Sequence, residues 1–233
     1  MQWNDEQQDV SRETFQNKVD MMDIARIAQD VEAREFAGMG SLKLVAPAKV
    51  NLYLNVKGLR EDGYHEVSTI MHTLMLHDVL RMKLVPGTGK PVQLTSRSYE
   101  GLEPLDVDPQ HNIVTKAIVK LAEAFGRELG ETETVRVHLE KHIPAQAGLG
   151  GGSSDAAAAL LGAAILWQES VLDPRIEQVA ATLGADVAFF LKGGCAQYDG
   201  IGEHFVRSLK ITNDFVVIVK PEGGVSTAAA YKK

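Results

Sequence analysis

The stretch PAQAGLGGGSSDAAAAL, residues 144–160, decides how this chain folds and what it handles. Gly148, Gly150, Gly151 and Gly152 let backbone N–H groups turn toward a ligand and approach it closely. The alanine-rich run that follows is a helix, whose first turn adds unpaired donors and the positive end of the helix dipole. Glycine loop and helix start together form a phosphate site. The pattern is not a Walker A loop, because no lysine follows the last glycine, and it is not G-x-G-x-x-G, because Ser153 occupies the final position. The plain alternative is a glycine hinge before a helix. A strand before the loop, a buried helix after it, and the hydroxyls of Ser153 and Ser154 weigh toward the anion site.

Outward from this loop, the flanks supply strands. Upstream, TVRVHLEKHI alternates through Val135, Val137 and Leu139. Before it, Asn112 caps the helix IVTKAIVKLAEAF and Gly126 closes it. Residues 42–58, LKLVAPAKVNLYLNVKG, place Val50, Leu52, Leu54 and Val56 on one face of a strand that reads as buried, with Pro47 suited to an edge or a bulge. REDGYHEV is a polar turn, STIMHTLMLHDVLRMKLV and VQLTS are further strands, and PGTGKP is a turn between them. Downstream, Asp173-Pro174 opens a helix that Gly184 ends. DVAFFLKGGCAQYDGIGEHFV and DFVVIVKPEGGVSTAAAY read as strands and turns. Strands and helices mix without strict alternation, so the expected class is α+β. Residues 1–37 form a polar, acidic stretch with Phe15, Val19, Met22 and Ala25 at helical spacing, the expectation being one amphipathic helix stopped by Gly38 and Gly40.

Composition narrows the function classes. The chain has 233 residues, 45% hydrophobic and 24% charged, ordinary for a soluble globular protein. A net charge of −7, with no basic stripe, argues against nucleic acid as a partner. No apolar run reaches membrane-spanning length, so no membrane is expected. One cysteine, Cys195, excludes an internal disulfide framework, and with no signal-peptide pattern the expected location is cytoplasmic. His138 and His142 are spaced as a helical metal pair would be, but on a strand that spacing covers about 13 Å, too far for one ion.

Several segments, in order, resemble the GHMP kinases, in the branch acting on cytidyl methylerythritol. IPAQAGLGGGSSDAAAAL resembles their ATP-binding motif, APAKVNLYLNVKGLREDGYHEV their first motif, LGADVAFFLKGGCAQYDGIGE the segment with the catalytic aspartate, and PEGGVSTAAAY the strand and turn after it. The resemblance covers about residues 42–231. It implies the GHMP N-terminal domain, of the ribosomal protein S5 domain 2-like fold, and ATP-dependent phosphorylation of the 2-hydroxyl of 4-diphosphocytidyl-2-C-methyl-D-erythritol, with ATP and Mg²⁺. Asp186 matches the catalytic aspartate, a general base or orienter of the substrate hydroxyl, and Lys49 the lysine that pairs with it and stabilises charge on the transferred group. Pro144, Ala145, Gln146, Ala147, Gly148, Leu149, Gly150, Gly151, Gly152, Ser153 and Ser154 match the ATP loop. Asn51, Tyr64, His65 and Tyr231 match the substrate site, with Tyr64 stacking on cytosine, His65 hydrogen bonding to it and Tyr231 closing over it. The metal ligands stay unassigned.

The pattern also departs from that family. Gln146 stands where relatives usually have glycine, and Ala188 replaces a usual proline. The family continues past Tyr231 into a ferredoxin-like domain, of which this chain holds only the start. The expected organisation is a helical extension over residues 1–40, the ATP-binding domain over 41–195, and remaining core strands plus the start of the second domain over 196–233. A homodimer is one way to replace the absent half. Two alternatives stay open: another GHMP small-molecule kinase acting on a sugar, homoserine or mevalonate-type substrate, and a nucleotide-binding protein without turnover.

Overall fold

The computed structural model describes residues 36, 40–60, 63, 65–99, 101–104, 107–210 and 215–220. The chain divides into residues 1–39 and 40–233, and the second unit holds every element described below. The amphipathic helix expected over residues 1–37 lies outside the described residues, Phe36 excepted.

A mixed sheet of six strands is built around β2, His65–Pro86. One edge of β2 pairs antiparallel with β1, Ser41–Leu59, along almost its whole length. The other edge is shared: Val79–Pro86 pairs with β4, Glu133–Lys141, while Thr69–His72 pairs with β5, Cys195–Asp199. β3, Val92–Ser98, runs parallel to β4, and β6, His204–Leu209, runs antiparallel to β5. Among the described residues β1 pairs only with β2 and so lies at an edge, and its register shifts between Pro47 and Lys49. That is where a residue with no N–H is tolerated.

Four helices stand among the described residues: α1 Ile113–Phe125, α2 Gly151–Leu166, α3 Pro174–Leu183 and α4 Ala185–Lys192. The Asn112 side chain caps α1 by accepting from the Val114 N–H, and left-handed Gly126 ends it. Asp173 caps α3 in the same manner from Arg175. α2 is the centre of the helical layer, and residues 154–160 within it are all buried. It lies close on the sheet at Gly162, where an added Cβ would come within 2.5 Å of Met82 Sδ. Alanines along this helix serve the same end, since short side chains let sheet and neighbouring helices approach. One apolar core joins Leu80, Met82, Val137, Ile118, Leu160 and Phe189 from both layers. The α+β arrangement agrees with the sequence reading.

Three local expectations are corrected. Residues 185–192, read as strand, form α4. Val-Ala-Phe-Phe-Leu has strand propensity, but Asp186 in the first turn and Lys192 in the last complement a helix dipole. Val187, Phe189 and Phe190 then bury one helical face, and tertiary burial overrides propensity. Residues 215–220 form no strand and stay exposed. The outer half of β1 is also not buried: Leu52, Leu54 and Val56 keep 45–55% of their surface in solvent.

Candidate functional site

The glycine loop leaves β4 at Lys141 and enters α2 at Gly151. Gly150 takes the N-cap position at φ 71°, with no side chain capping the helix. The first-turn N–H groups of α2 are therefore left to another acceptor. Gly150 also has no room for a side chain, because a Cβ there would lie 2.9 Å from the Phe190 ring and 3.1 Å from Lys49 Cγ. Gln146 holds φ 54°, a left-handed value that suits glycine better than glutamine. Along the loop, Ala145, Gln146 and Gly148 are exposed, Pro144 and Ala147 half-buried, and Leu149 buried. The two serines separate clearly. Ser153 is partly exposed, whereas Ser154 is buried with its Oγ unpaired, so Ser153 is the hydroxyl a solvent-side phosphate can reach.

Lys49 enters this site from β1. Its N–H donates to the Leu149 carbonyl at 2.9 Å, tying the strand to the loop. The Lys49 side chain is buried, and its Nζ lies 3.4 Å from Asp186 Oδ2 and donates to Asn51 Oδ1 at 2.7 Å. Asn51 Nδ2 in turn donates to Thr69 Oγ1 at 2.7 Å, and Thr69 donates to the Tyr53 carbonyl at 2.8 Å. This relay fixes both faces of the Asn51 amide and aims the ammonium. Asp186 sits in the first turn of α4 with its side chain about one-third exposed, 34%. A carboxylate there is favoured by the helix dipole and remains open to a ligand.

Lys49, Asn51, Asp186 and the loop thus share one place. His65 does not join them. It begins β2 and faces Leu59, while Thr73 faces Lys49. The eight residues from His65 to Thr73 would span roughly 26 Å in a straight strand. Register shifts at Asn51/Tyr53 and Val56/Gly58 lie between the two ends. Tyr64 and Tyr231 lie outside the described residues.

One group escaped the sequence reading. Lys141 Nζ bonds to Asp78 Oδ2 and, at 2.6 Å, to Asp155 Oδ2. Asp78 Oδ1 accepts the N–H groups of His142 and Ile143, the first two residues of the loop. All three side chains are buried. Burial pushes the Asp155 carboxyl up to about 7 against the pull of Lys141, with Asp78 adding to the rise. The lysine is held above its ordinary range by its two carboxylates, which outweigh its own burial. The signal was present: Asp78 interrupts an apolar strand, and a buried carboxylate needs a partner. Among the described residues no cluster of three His, Cys, Asp or Glu side chains could hold a metal ion, and no helix is long and apolar enough to cross a membrane.

Comparison with known proteins gives a consistent answer. The GHMP kinases N-terminal domain matches residues 112–194. A Desulfitobacterium hafniense protein named 4-diphosphocytidyl-2-C-methyl-D-erythritol kinase is 39% identical over 191 residues, 82% of this chain and 61% of that protein. The protein of that name from Thermoanaerobacter pseudethanolicus is 40% identical over 195 residues, 84% of this chain and 63% of that one. A crystal structure of 4-(cytidine 5'-diphospho)-2C-methyl-D-erythritol kinase superposes with TM-score 0.54 at 39% identity, covering 72% of this chain and 55% of that one. The mevalonate kinase of L. major, solved with R-mevalonate, superposes with TM-score 0.54 at 15% identity over 72% of this chain and 52% of its own, a likeness of fold alone. The chain spans about three-fifths of the length of the curated relatives it matches. An uncapped glycine loop running into a buried helix, the α+β fold around it, and these similarities show that the chain bears the N-terminal domain of the GHMP kinase family.

Proposed function

We propose that this chain supplies the nucleotide site and the catalytic pair of an ATP-dependent kinase that phosphorylates the 2-hydroxyl of 4-diphosphocytidyl-2-C-methyl-D-erythritol. The observation that carries the proposal is the Lys49–Asp186 pair, 3.4 Å apart and beside the uncapped start of α2. Phosphoryl transfer asks a protein mainly for positioning and charge stabilisation, and this site offers both. In the proposed step Asp186 accepts the proton of the attacking hydroxyl. The hydroxyl oxygen bonds to the γ-phosphorus, the bond to the β–γ bridging oxygen breaks, and ADP leaves with that electron pair. Lys49, aimed by Asn51, stabilises negative charge on the transferred group. The α2 N–H groups and the Ser153 hydroxyl hold the phosphates.

Magnesium enters with the phosphates of ATP, the usual mode for an ion that keeps several waters. The partly exposed Ser153 hydroxyl is a protein oxygen that would suit it. Substrate choice rests on similarity to the named kinases and on the sequence-neighbouring His65 and Tyr64, which would take the cytidine end of an extended substrate. The test is a coupled ADP-release assay on the 233-residue chain with ATP, Mg²⁺ and the cytidyl substrate, against a no-substrate control. Substrate-dependent ADP is expected. Folded protein releasing none would overturn turnover by this chain. ADP release with mevalonate or homoserine, but not the cytidyl substrate, would overturn the substrate assignment.

A further inference from the structure

The Lys141 cluster is costly as a piece of core. When both carboxylates are ionised it carries one uncompensated negative charge, and Asp155 Oδ1 is buried without a hydrogen-bond partner. Apolar side chains of similar volume commonly do as well or better for stability at such places. What the cluster offers instead is connectivity. Asp78 holds the N–H groups of His142 and Ile143 where the loop leaves β4, and Asp155 lies in the second turn of α2, just beyond the loop. Lys141 bridges the two carboxylates. Its ammonium passes beneath Gly151, with Nζ 3.3 Å from where a Cβ would stand, so the first residue of α2 rests directly on the bridge. Entry and exit of the loop are therefore fastened to one buried ion.

We propose that Lys141, through Asp78 and Asp155, is a positioning residue for the nucleotide: it pins both ends of the 142–150 loop, so the donors at the start of α2 are set before a phosphate arrives. The inference rests on the nucleotide-binding reading above. Ligand affinity gains from such pre-organisation, because the loop need not be ordered at the moment of binding. Asp155→Ala cuts the exit fastening and leaves Lys141 and Asp78 as a balanced pair, so the chain keeps its fold. Asp155→Asn keeps an oxygen acceptor for Lys141.

The experiment measures ADP binding with Mg²⁺ by calorimetry on the full chain, with KM for ATP, kcat and Tm alongside. For Asp155→Ala the expected result is a Tm at or near wild type, and a Kd for ADP and KM for ATP raised about tenfold, the scale of one lost charge-assisted hydrogen bond. kcat stays within about threefold, since Asp186 and Lys49 are untouched, and Asp155→Asn restores affinity to within the same margin. Unchanged ADP affinity in folded Asp155→Ala overturns the inference alone. An Asn variant as weak as the Ala variant overturns it too, as does an Asp155→Ala chain that does not fold, because the cluster is then a stability element. A wild-type chain that binds no ADP sinks the nucleotide reading and this inference together.

Discussion

Gly150→Ala tests the site through a single methyl group. Gly150 holds φ 71°, and a left-handed non-glycine residue costs about 1–2 kcal/mol. The new Cβ would stand 2.9 Å from Cε2 and Cζ of Phe190 and 3.1 Å from Lys49 Cγ. Phe190 cannot swing away freely, for it is buried and packed edge-on against Phe189 at 5.2 Å. Overpacking of this kind adds about 1–3 kcal/mol, for a total near 2–5 kcal/mol. A domain of this size loses roughly 2–4 °C of Tm per kcal/mol, so a fall of about 4–20 °C is expected in a thermal melt. Gly148→Ala is the matched control. Gly148 has nearly the same φ, 72°, but nothing within 4 Å of its Cβ position, so only the backbone cost of about 1–2 kcal/mol remains. The double variant Gly150→Ala/Phe190→Leu should recover part of the difference, because leucine removes the ring atoms that collide. Equal Tm losses for Gly148→Ala and Gly150→Ala would refute the close approach of loop, α4 and Lys49.

Asp186→Asn should lower kcat by about 10²–10⁴-fold, the range of general-base catalysis, while ADP affinity changes little; a near wild-type kcat would remove Asp186 from the chemistry. Lys49→Met should reduce kcat more than it raises KM for ATP, and a pure KM effect in steady-state kinetics would make Lys49 a binding residue only. Gln146→Gly relieves the left-handed strain at φ 54° but frees the unfolded chain, for a net gain of about 0.5–1 kcal/mol, visible as a Tm rise of roughly 1–4 °C. Asp155 also makes a pH signature. Its carboxyl is raised from 3.8 to about 7, so between those values the native state holds a proton that the unfolded chain has released. Its contribution to stability therefore falls as pH rises from about 4 to 7 and is flat above. Asp155→Asn lacks this slope, and its Tm relative to wild type should climb across that window; a constant difference would refute the raised value.

Much of this was readable because the informative residues are short-range. Asn112, Gly126, Asp173 and Gly184 mark helix ends through bonds to residues a few positions away, and a sequence displays such spacing directly. The loop was readable for the same reason, since glycine run and helix adjoin. Residues 185–192 misled because their propensity is that of a strand, and only burial of Phe189 and Phe190 makes them α4. The stripe of Leu52, Leu54 and Val56 has the right period for a buried face, but period cannot say whether anything covers that face. The Lys141 cluster joins residues 78, 141 and 155, and partners separated by 63 positions leave no local trace. Asp78 alone announced that some partner must exist.

The division of β2 between two partners governs how the domain comes to be assembled. Its edge is completed by β4 at Val79–Pro86 and by β5 at Thr69–His72, and β5 begins only at Cys195. A chain emerging from the ribosome can form the β1–β2 hairpin early, from neighbouring residues. It must then carry the β5-facing edge of Thr69–His72 open until more than a hundred further residues have been made. Pairings this distant are slow to close, because the entropy of a long loop is lost before the contact is gained. The waiting edge is thus the point at which nascent chains would add strands to one another, and a holding chaperone or a slow-folding temperature optimum would act there first.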